Sequence, residues 1–401
     1  MTGVSLADIE AVVDLVSEAA VTTPMEQSRW LTTLVGGPVL LKCENLQRTG
    51  SFKIRGGFVR LSRLSEAERA RGVVAASAGN HAQGVALAAK MLGIRATVFM
   101  PEGAPIPKAN ATRGYGADVR FHGEYLTEAL VAAQEFSDQT GAVFIHPFDH
   151  TDIVAGQGTC GLEILQQAPE AATVMVPTGG GGLIAGVAIA IKGLRPDVRV
   201  VGVQAAEAAA FPESLRLGQP VALERMNTMA DGIAVARPGD VPFASIQQYV
   251  DDVVTVSEDS MSRALVMLLE RSKLVVEPSG AAAVAALMDQ PEAFGTPVVA
   301  VLSGGNVDPL LLGKLIRHGL ASGGRYMNLQ VHIPDRPGGL ATLLAELAEA
   351  GANVLEVEHD RTTTTLHIGE VEVRLQLETR GTQHAEVVLG RLREHGYEVI
   401  E

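Results

Sequence analysis

The stretch Thr173-Val174-Met175-Val176-Pro177-Thr178-Gly179-Gly180-Gly181-Gly182-Leu183 constrains this chain more than any other. A short apolar run, four consecutive glycines and an apolar helical pattern through Leu194 read as strand, turn and helix. From Thr173 to Ile191 there is no charge, and the length alone would cross a bilayer. Pro177 and the glycines break that reading, since a continuous helix tolerates neither. Consecutive glycines also let several backbone N–H groups turn toward one point at a helix N-terminus, which makes a cup suited to a phosphate.

A dinucleotide site is the alternative, because Gly180, Gly182 and Ala185 satisfy G-x-G-x-x-A. That motif wants an acid about twenty residues further on, at the end of the next strand. Gln204 stands there, and Glu207 is displaced from it. A phosphate monoester fits better.

The surroundings follow the same strand-and-helix alternation. Strands are predicted at Val39-Lys42, Gly72-Ala76, Ala96-Met100, Asp118-Phe121, Val143-Ile145, Thr173-Val176, Arg199-Gln204, Asp252-Val256 and Val298-Leu302. Several are short, apolar on both faces and bounded by glycine or proline, as buried parallel strands are. Helices fit between them, among them Ala82-Leu92 and Leu183-Leu194. The expectation is a doubly wound α/β architecture in two lobes with a cleft, ligands meeting the carboxyl ends of the strands. The catalytic part is expected over residues 1–316, with a smaller lobe at about 42–148 nested in it. Ser5-Leu6-Ala7-Asp8 opens a capped amphipathic helix, the opposite of a basic, apolar leader.

Residues 317–325, with Gly319, Gly323 and Gly324, read as a linker. The pattern then changes to strand Met327-Ile333, helix Gly339-Ala350, strands Ala352-His359 and Leu366-Glu378, helix Gln383-His395 and strand Tyr397-Ile400. That order is the ferredoxin-like βαββαβ arrangement, over residues 326–401. No internal repeat is visible. The net charge of −14 argues against nucleic acid as a partner. Cys43 and Cys160 make no disulfide framework, so a reducing cytoplasm is expected.

Three further motifs carry chemistry. Lys53 lies in Thr49-Gly50-Ser51-Phe52-Lys53-Ile54-Arg55-Gly56-Gly57, an odd setting for a solvated lysine. An apolar pocket would favour its neutral, nucleophilic amine, and Arg55 nearby would push the same way. An amphipathic lysine with a packed stem is the plain alternative. Ser77-Ala78-Gly79-Asn80-His81 follows a strand and starts a helix, either as a carboxylate cradle or as a simple cap with Asn80 at the N-cap. Ser303-Gly304-Gly305-Asn306 is, alone, a strand-to-helix turn. Taken jointly, a reactive lysine, a phosphate cup, a carboxylate loop and a hydroxyl for a ring nitrogen match pyridoxal 5'-phosphate.

These segments together resemble the threonine/serine dehydratases of the tryptophan-synthase-β fold type, pyridoxal-phosphate fold type II. The resemblance runs through Ser51-Phe52-Lys53-Ile54-Arg55-Gly56, Ser77 to Gly84, Gly179 to Leu183 and Ser303 to Asn306. The tail from Tyr326, with Asp335-Arg336-Pro337-Gly338-Gly339-Leu340, resembles an ACT regulatory domain. One departure stands out: Glu277-Pro278-Ser279-Gly280 replaces the Glu-Gly-Ala-Gly run of many of these dehydratases.

The resemblance implies that Lys53 holds the cofactor aldehyde and moves a proton at the substrate Cα. It places Phe52 against the pyridine ring, Asn80 at the 3'-hydroxyl, Gly179, Gly180, Gly181, Gly182 and Leu183 at the phosphate, and Ser303 at the ring nitrogen. A neutral hydroxyl there favours elimination over transamination. Ser77, Ala78, Gly79, Asn80 and His81 would hold the substrate carboxylate. The implied reaction takes water from L-threonine or L-serine, giving 2-oxobutanoate or pyruvate and ammonia. Serine racemases of this fold carry a serine where Ala78 stands, so racemisation is expected to be slow. Amino-acid effectors are expected at Asp335, Gly338, Gly339, Leu340 and Asn353, in a homodimer or homotetramer. No metal ligands are assigned, and neither membrane nor nucleic acid is expected as a partner. Two other readings stand beside the lead: a lyase for serine or 3-hydroxyaspartate, and an amino-acid sensor without catalysis.

Overall fold

The computed structural model describes residues 3–361 and 367–400, which form two compact units, Met1–Leu312 and Gly313–Glu401. In the first unit, β1 (Met25–Gln27) and β2 (Val39–Lys42) open a large sheet. β3 (Val73–Ala76), β4 (Ala96–Met100), β5 (Asp118–Phe121) and β6 (Val143–Phe144) form a separate small sheet in the order β5-β4-β3-β6, all parallel. The chain then returns with β7 (Thr173–Pro177), β8 (Arg199–Ala205), β9 (Asp252–Val256) and β10 (Val298–Val301) to complete the six-stranded order β1-β2-β10-β7-β8-β9. The two-lobed, doubly wound expectation holds. Strand β1 was not predicted; it is three residues long and pairs antiparallel at the sheet edge.

Strands β3 and β10 are buried at every position, which is why they read as apolar runs without alternation. Four helices bring the motifs together: α1 (Lys53–Ser62), α2 (Asn80–Leu92), α3 (Thr151–Gln167) and α4 (Gly182–Leu194). Helix α3 is a shared spine, packed against both α1 and α4. Its crossing with α1 is close enough that a Cβ on Gly156 would lie 2.6 Å from the Cα of Gly56. Any larger side chain there would push the lysine-bearing helix off the spine.

Arg55, fully buried on α1, reaches Glu44 at 2.8 Å and Glu163 of α3 at 2.6 Å. Lys42, also fully buried, donates to Glu163, Gln167 and the Thr23 carbonyl. Such a cluster is tolerable only because each charge is paired, and removing one member would cost about 3–5 kcal/mol.

Past α5 (Pro278–Asp289), α6 (Pro309–Ser322) runs through most of the segment read as a linker. Its helical spacing buries Leu315 and Gly319, and the turn comes only at Gly324, where φ is +66°. The glycine count, not the apolar spacing, misled the sequence reading. In the second unit β11 (Tyr326–Pro334), β12 (Asn353–Asp360), β13 (Glu370–Glu378) and β14 (Glu398–Ile400) pair antiparallel in the order β12-β13-β11-β14. With α7 (Gly339–Glu349) and α8 (Thr382–Glu394) this is the expected βαββαβ unit, and Leu366 of the predicted strand lies outside the described residues. Leu329, Val331, Val373 and Leu375 point into the helix-covered core, whereas Asn328, Gln330, Arg374 and Gln376 line a cavity of about 360 Å³ on the other face. Among the described residues no helix is long and apolar enough to cross a membrane.

Candidate active site

Lys53 is the first residue of α1, and its backbone is pinned by the loop that follows β10. Ser51 bridges Gly304, and the Phe52 N–H donates to the Ser303 carbonyl at 3.3 Å. The Lys53 amine donates to the Pro147 carbonyl at 3.0 Å and lies 5.1 Å from the centre of the Phe52 ring. Burial is the main influence on this amine and lowers it to about 8, while the carboxyl of Glu277 pulls the other way. A helix N-terminus disfavours a cation as well. Arg55 does not contribute as expected: its charge is spent on Glu44 and Glu163.

The neighbour of Pro147, Phe148, packs against the glycine turn. A Cβ on Gly180 would lie 2.4 Å from the Phe148 ring, and Gly181 takes φ of +101° as the N-cap of α4. No other residue type fits both demands without displacing the turn. Among the described residues, none of the N–H groups of Gly179 to Gly182 meets an acceptor. Leu183 follows in the first turn of α4 and is buried. Pro147 and Phe148 thus place the amine and the cup on two sides of one segment, although the sequence reading singled out neither residue. Gln204 holds the cup from behind. Fully buried, it accepts from the Phe211 N–H at 2.9 Å and donates to the Thr178 carbonyl at 3.3 Å. The position that denied a dinucleotide site is therefore a strut.

The loop Ser77 to His81 lies at the carboxyl end of β3. The Ser77 hydroxyl accepts from the Gly79 N–H at 3.1 Å and closes the loop. Ala78 and Gly79 are half-buried, and Gly79, not Asn80, is the N-cap of α2. Asn80 instead reaches across the cleft, donating to the Glu277 carboxyl at 2.7 Å and accepting from Asn306 at 2.8 Å. His81 departs from its expected place. Its Nε2 lies 2.8 Å from the Ile145 carbonyl, and burial first, then Lys53, pushes the ring down to about 3. It is a neutral strut for the residue that follows β6. Ser303, almost fully buried, closes the group at the end of β10.

An amine kept available for an aldehyde, a glycine cup with free N–H groups and an amide held at the cleft define a site that fits pyridoxal phosphate. Comparison with known proteins agrees. The family of pyridoxal-phosphate dependent enzymes matches residues 16–304, and the ACT domain matches residues 327–397. An L-threonine ammonia-lyase of Thermotoga maritima is 46% identical over 396 residues, 99% of either chain. The processed form of threonine deaminase isoform 2 from Solanum lycopersicum superposes with a TM-score of 0.75 at 37% identity, covering 79% of this chain and 90% of its own. Maize serine racemase does so with a TM-score of 0.74 at 33% identity, covering 80% of this chain and 99% of its own. This chain belongs to the pyridoxal-phosphate dependent enzyme family and carries an ACT domain at its C-terminal end.

The expected effector residues do not all meet. The turn after β11 has Asp335 paired with Arg361 at 3.2 Å, and Gly338 takes φ of +93° before Gly339 and Leu340 start α7. Asn353 lies opposite Glu378, whereas Pro334, next to that turn, lies opposite Glu370. Residues 370 and 378 are the two ends of β13, about 26 Å apart at strand spacing. One ACT unit therefore separates Asn353 from the turn. Helix α7 carries the chain back across the sheet between them, which a reading of sequence distance does not register.

Proposed function

We propose that this chain is a pyridoxal-phosphate-dependent threonine ammonia-lyase, converting L-threonine to 2-oxobutanoate and ammonia, with L-serine to pyruvate as a side activity. The observation that carries it is the Lys53 amine, lowered to about 8 and facing the segment whose next residue floors the glycine cup. The names of the Thermotoga and tomato relatives support the choice of substrate.

When bound, pyridoxal phosphate supplies an aldehyde for the substrate amine and a ring that draws electrons from its Cα. Gly179 to Gly182 and Leu183 hold the phosphate through backbone N–H groups and the α4 dipole. Lys53 would take the proton from the substrate Cα, and that proton departs with the β-hydroxyl as water. Phe52 offers a flat wall beneath that amine. The backbone of Ser77 to Asn80 binds the substrate carboxylate. Ser303 presents a neutral hydroxyl to the ring nitrogen, which favours departure of a β-hydroxyl over a long-lived charge at Cα. Ala78 offers no proton from the opposite side, so racemisation stays slow despite the likeness to maize serine racemase.

The ACT unit binds an amino-acid effector at Asp335 to Leu340, the chain assembles as a homodimer or homotetramer, and the enzyme works in the cytoplasm. Two buried free cysteines suit that compartment. Steady-state assays on L-threonine, L-serine and 3-hydroxyaspartate test the reading. Stoichiometric 2-oxobutanoate and ammonia from threonine are expected. Turnover confined to serine or 3-hydroxyaspartate would reassign the substrate, and none at all would leave a sensor.

A further inference from the structure

Glu277-Pro278-Ser279-Gly280, the run that departs from the dehydratase pattern, has a use for each residue. The Glu277 N–H donates to the Gly304 carbonyl at 3.0 Å, and Pro278 starts α5. The Ser279 hydroxyl accepts from the Gly232 N–H at 2.8 Å. A Cβ on Gly280 would lie 2.4 Å from the Gly304 carbonyl oxygen. Together they fix the Glu277 carboxyl, 7% exposed, against Asn80 across the cleft.

A hydrogen-bonded chain of defined polarity runs from there. The Thr49 carbonyl can only accept, so the atom of Asn306 that meets it at 2.7 Å is the amide nitrogen. That nitrogen spends its second proton on the Asn80 side-chain oxygen at 2.8 Å. The Asn80 amide nitrogen then gives one proton to Glu277 at 2.7 Å and keeps the other. A flipped Asn80 would set amide nitrogen against amide nitrogen at one end and oxygen against carboxylate at the other. Both ends forbid it.

We propose that Glu277 is a positioning residue of the cofactor site: with Asn306 it fixes the Asn80 amide so that its remaining N–H, and never its oxygen, meets the ring hydroxyl of the cofactor. The inference rests on the pyridoxal phosphate site proposed above. It assigns to Glu277 the orientation of a neighbour, not a proton transfer. Burial raises the carboxyl to about 7 against the pull of Lys108 and Lys53, with Asp231 adding to the rise and the Asn80 bond opposing it. Protonated, it still offers its carbonyl oxygen to the Asn80 amide, so the lock holds as pH falls through about 7.

The test measures pyridoxal phosphate affinity by equilibrium dialysis and the visible absorption of the bound cofactor, in full-length chains checked for folding by circular dichroism. Glu277→Gln keeps an acceptor for Asn80 and is expected to bind within about threefold of wild type with the same absorption. Glu277→Leu should weaken binding about tenfold or more and alter the absorption. Asn306→Leu removes the donor at the other edge and should do the same, which keeps the question open to decision should Glu277→Leu not fold. The two losses should not add in the double variant. Wild-type affinity in Glu277→Leu or Asn306→Leu would overturn the inference, as would a loss in Glu277→Gln equal to that in Glu277→Leu. A wild-type chain that takes up no pyridoxal phosphate would overturn the reading of the site, and the inference with it.

Discussion

Two lysines eleven positions apart in sequence, Lys42 and Lys53, are both enclosed in the catalytic unit and do opposite things. The Lys42 amine donates to Glu163 at 2.5 Å, to Gln167 at 2.8 Å and to the Thr23 carbonyl at 3.0 Å. Its three protons are used, and it ties β2 to α3. Among the described residues, the Lys53 amine has a single carbonyl acceptor, from Pro147, and no carboxylate in ion-pair contact. Burial alone does not make a lysine reactive. What matters is whether the fold supplies acceptors for the charged form or leaves the neutral form as the cheaper state.

The largest effect that would break this contrast is loss of the reactive amine. Lys53→Ala is expected to lower turnover by at least about 10⁴-fold. Its Tm should stay within a few degrees of wild type, because no ion pair is removed. Turnover near wild type in a steady-state threonine assay would sink the contrast at once.

The structural side is tested by Arg55→Met. It strands Glu44, leaves Glu163 to Lys42 alone, and should destabilise the fold by about 3–5 kcal/mol in urea unfolding. Since Arg55 is neutralised where it lies, the pH response of Lys53 should not move.

That response supplies the third prediction. The neutral amine attacks an aldehyde, so the rate of pyridoxal phosphate uptake by the apoprotein should rise with pH and level off above about 8. An ordinary lysine would keep rising toward 10.4. Stopped-flow absorbance between pH 6 and about 10 reads this directly, and a midpoint near the ordinary value would show that the pocket does not act on the amine.

Gly181→Val addresses the cup rather than the amine. A valine would have to adopt the +101° φ and meet Ile246 at 2.7 Å. Cofactor affinity should fall about tenfold or more, at a cost of about 1–3 kcal/mol in strain. Unchanged affinity in equilibrium dialysis would move the phosphate elsewhere.

The smallest expected change in turnover comes from the other unit, which holds neither lysine. A chain ending near residue 320 should keep its lyase rate within a few-fold and lose its response to amino-acid effectors. Gly338→Asp in the full chain should blunt that response. Inhibition by isoleucine with an unchanged midpoint in the shortened chain would place the effector site in the catalytic unit.

Much of this molecule was legible in its residues. Strands with no polar face, such as Val298–Val301, and the alternating Glu370–Glu378 declare their sheets through local periodicity. The four glycines mark a cup, because only a residue without a Cβ survives a φ of +101° beside Ile246 and Phe211. Partners were another matter. Glu277 and Asn80 stand 197 positions apart, Lys42 and Glu163 stand 121 apart, and no spacing rule connects either pair. An acid between Val276 and Pro278 hinted at a buried role without saying for what. Arg55 looked like a neighbour that would unsettle Lys53, until the fold gave it two carboxylates. His81 was grouped with its loop by sequence, and only the fold shows its ring on the Ile145 carbonyl. The sequence by itself determined most of the strands and helices and where an amine and a glycine turn lie, since backbone preference and apolar spacing are local. Only the tertiary structure decided which buried charges are neutralised and which amine is left reactive, because the cost of burying a charge depends on acceptors brought from distant parts of the chain.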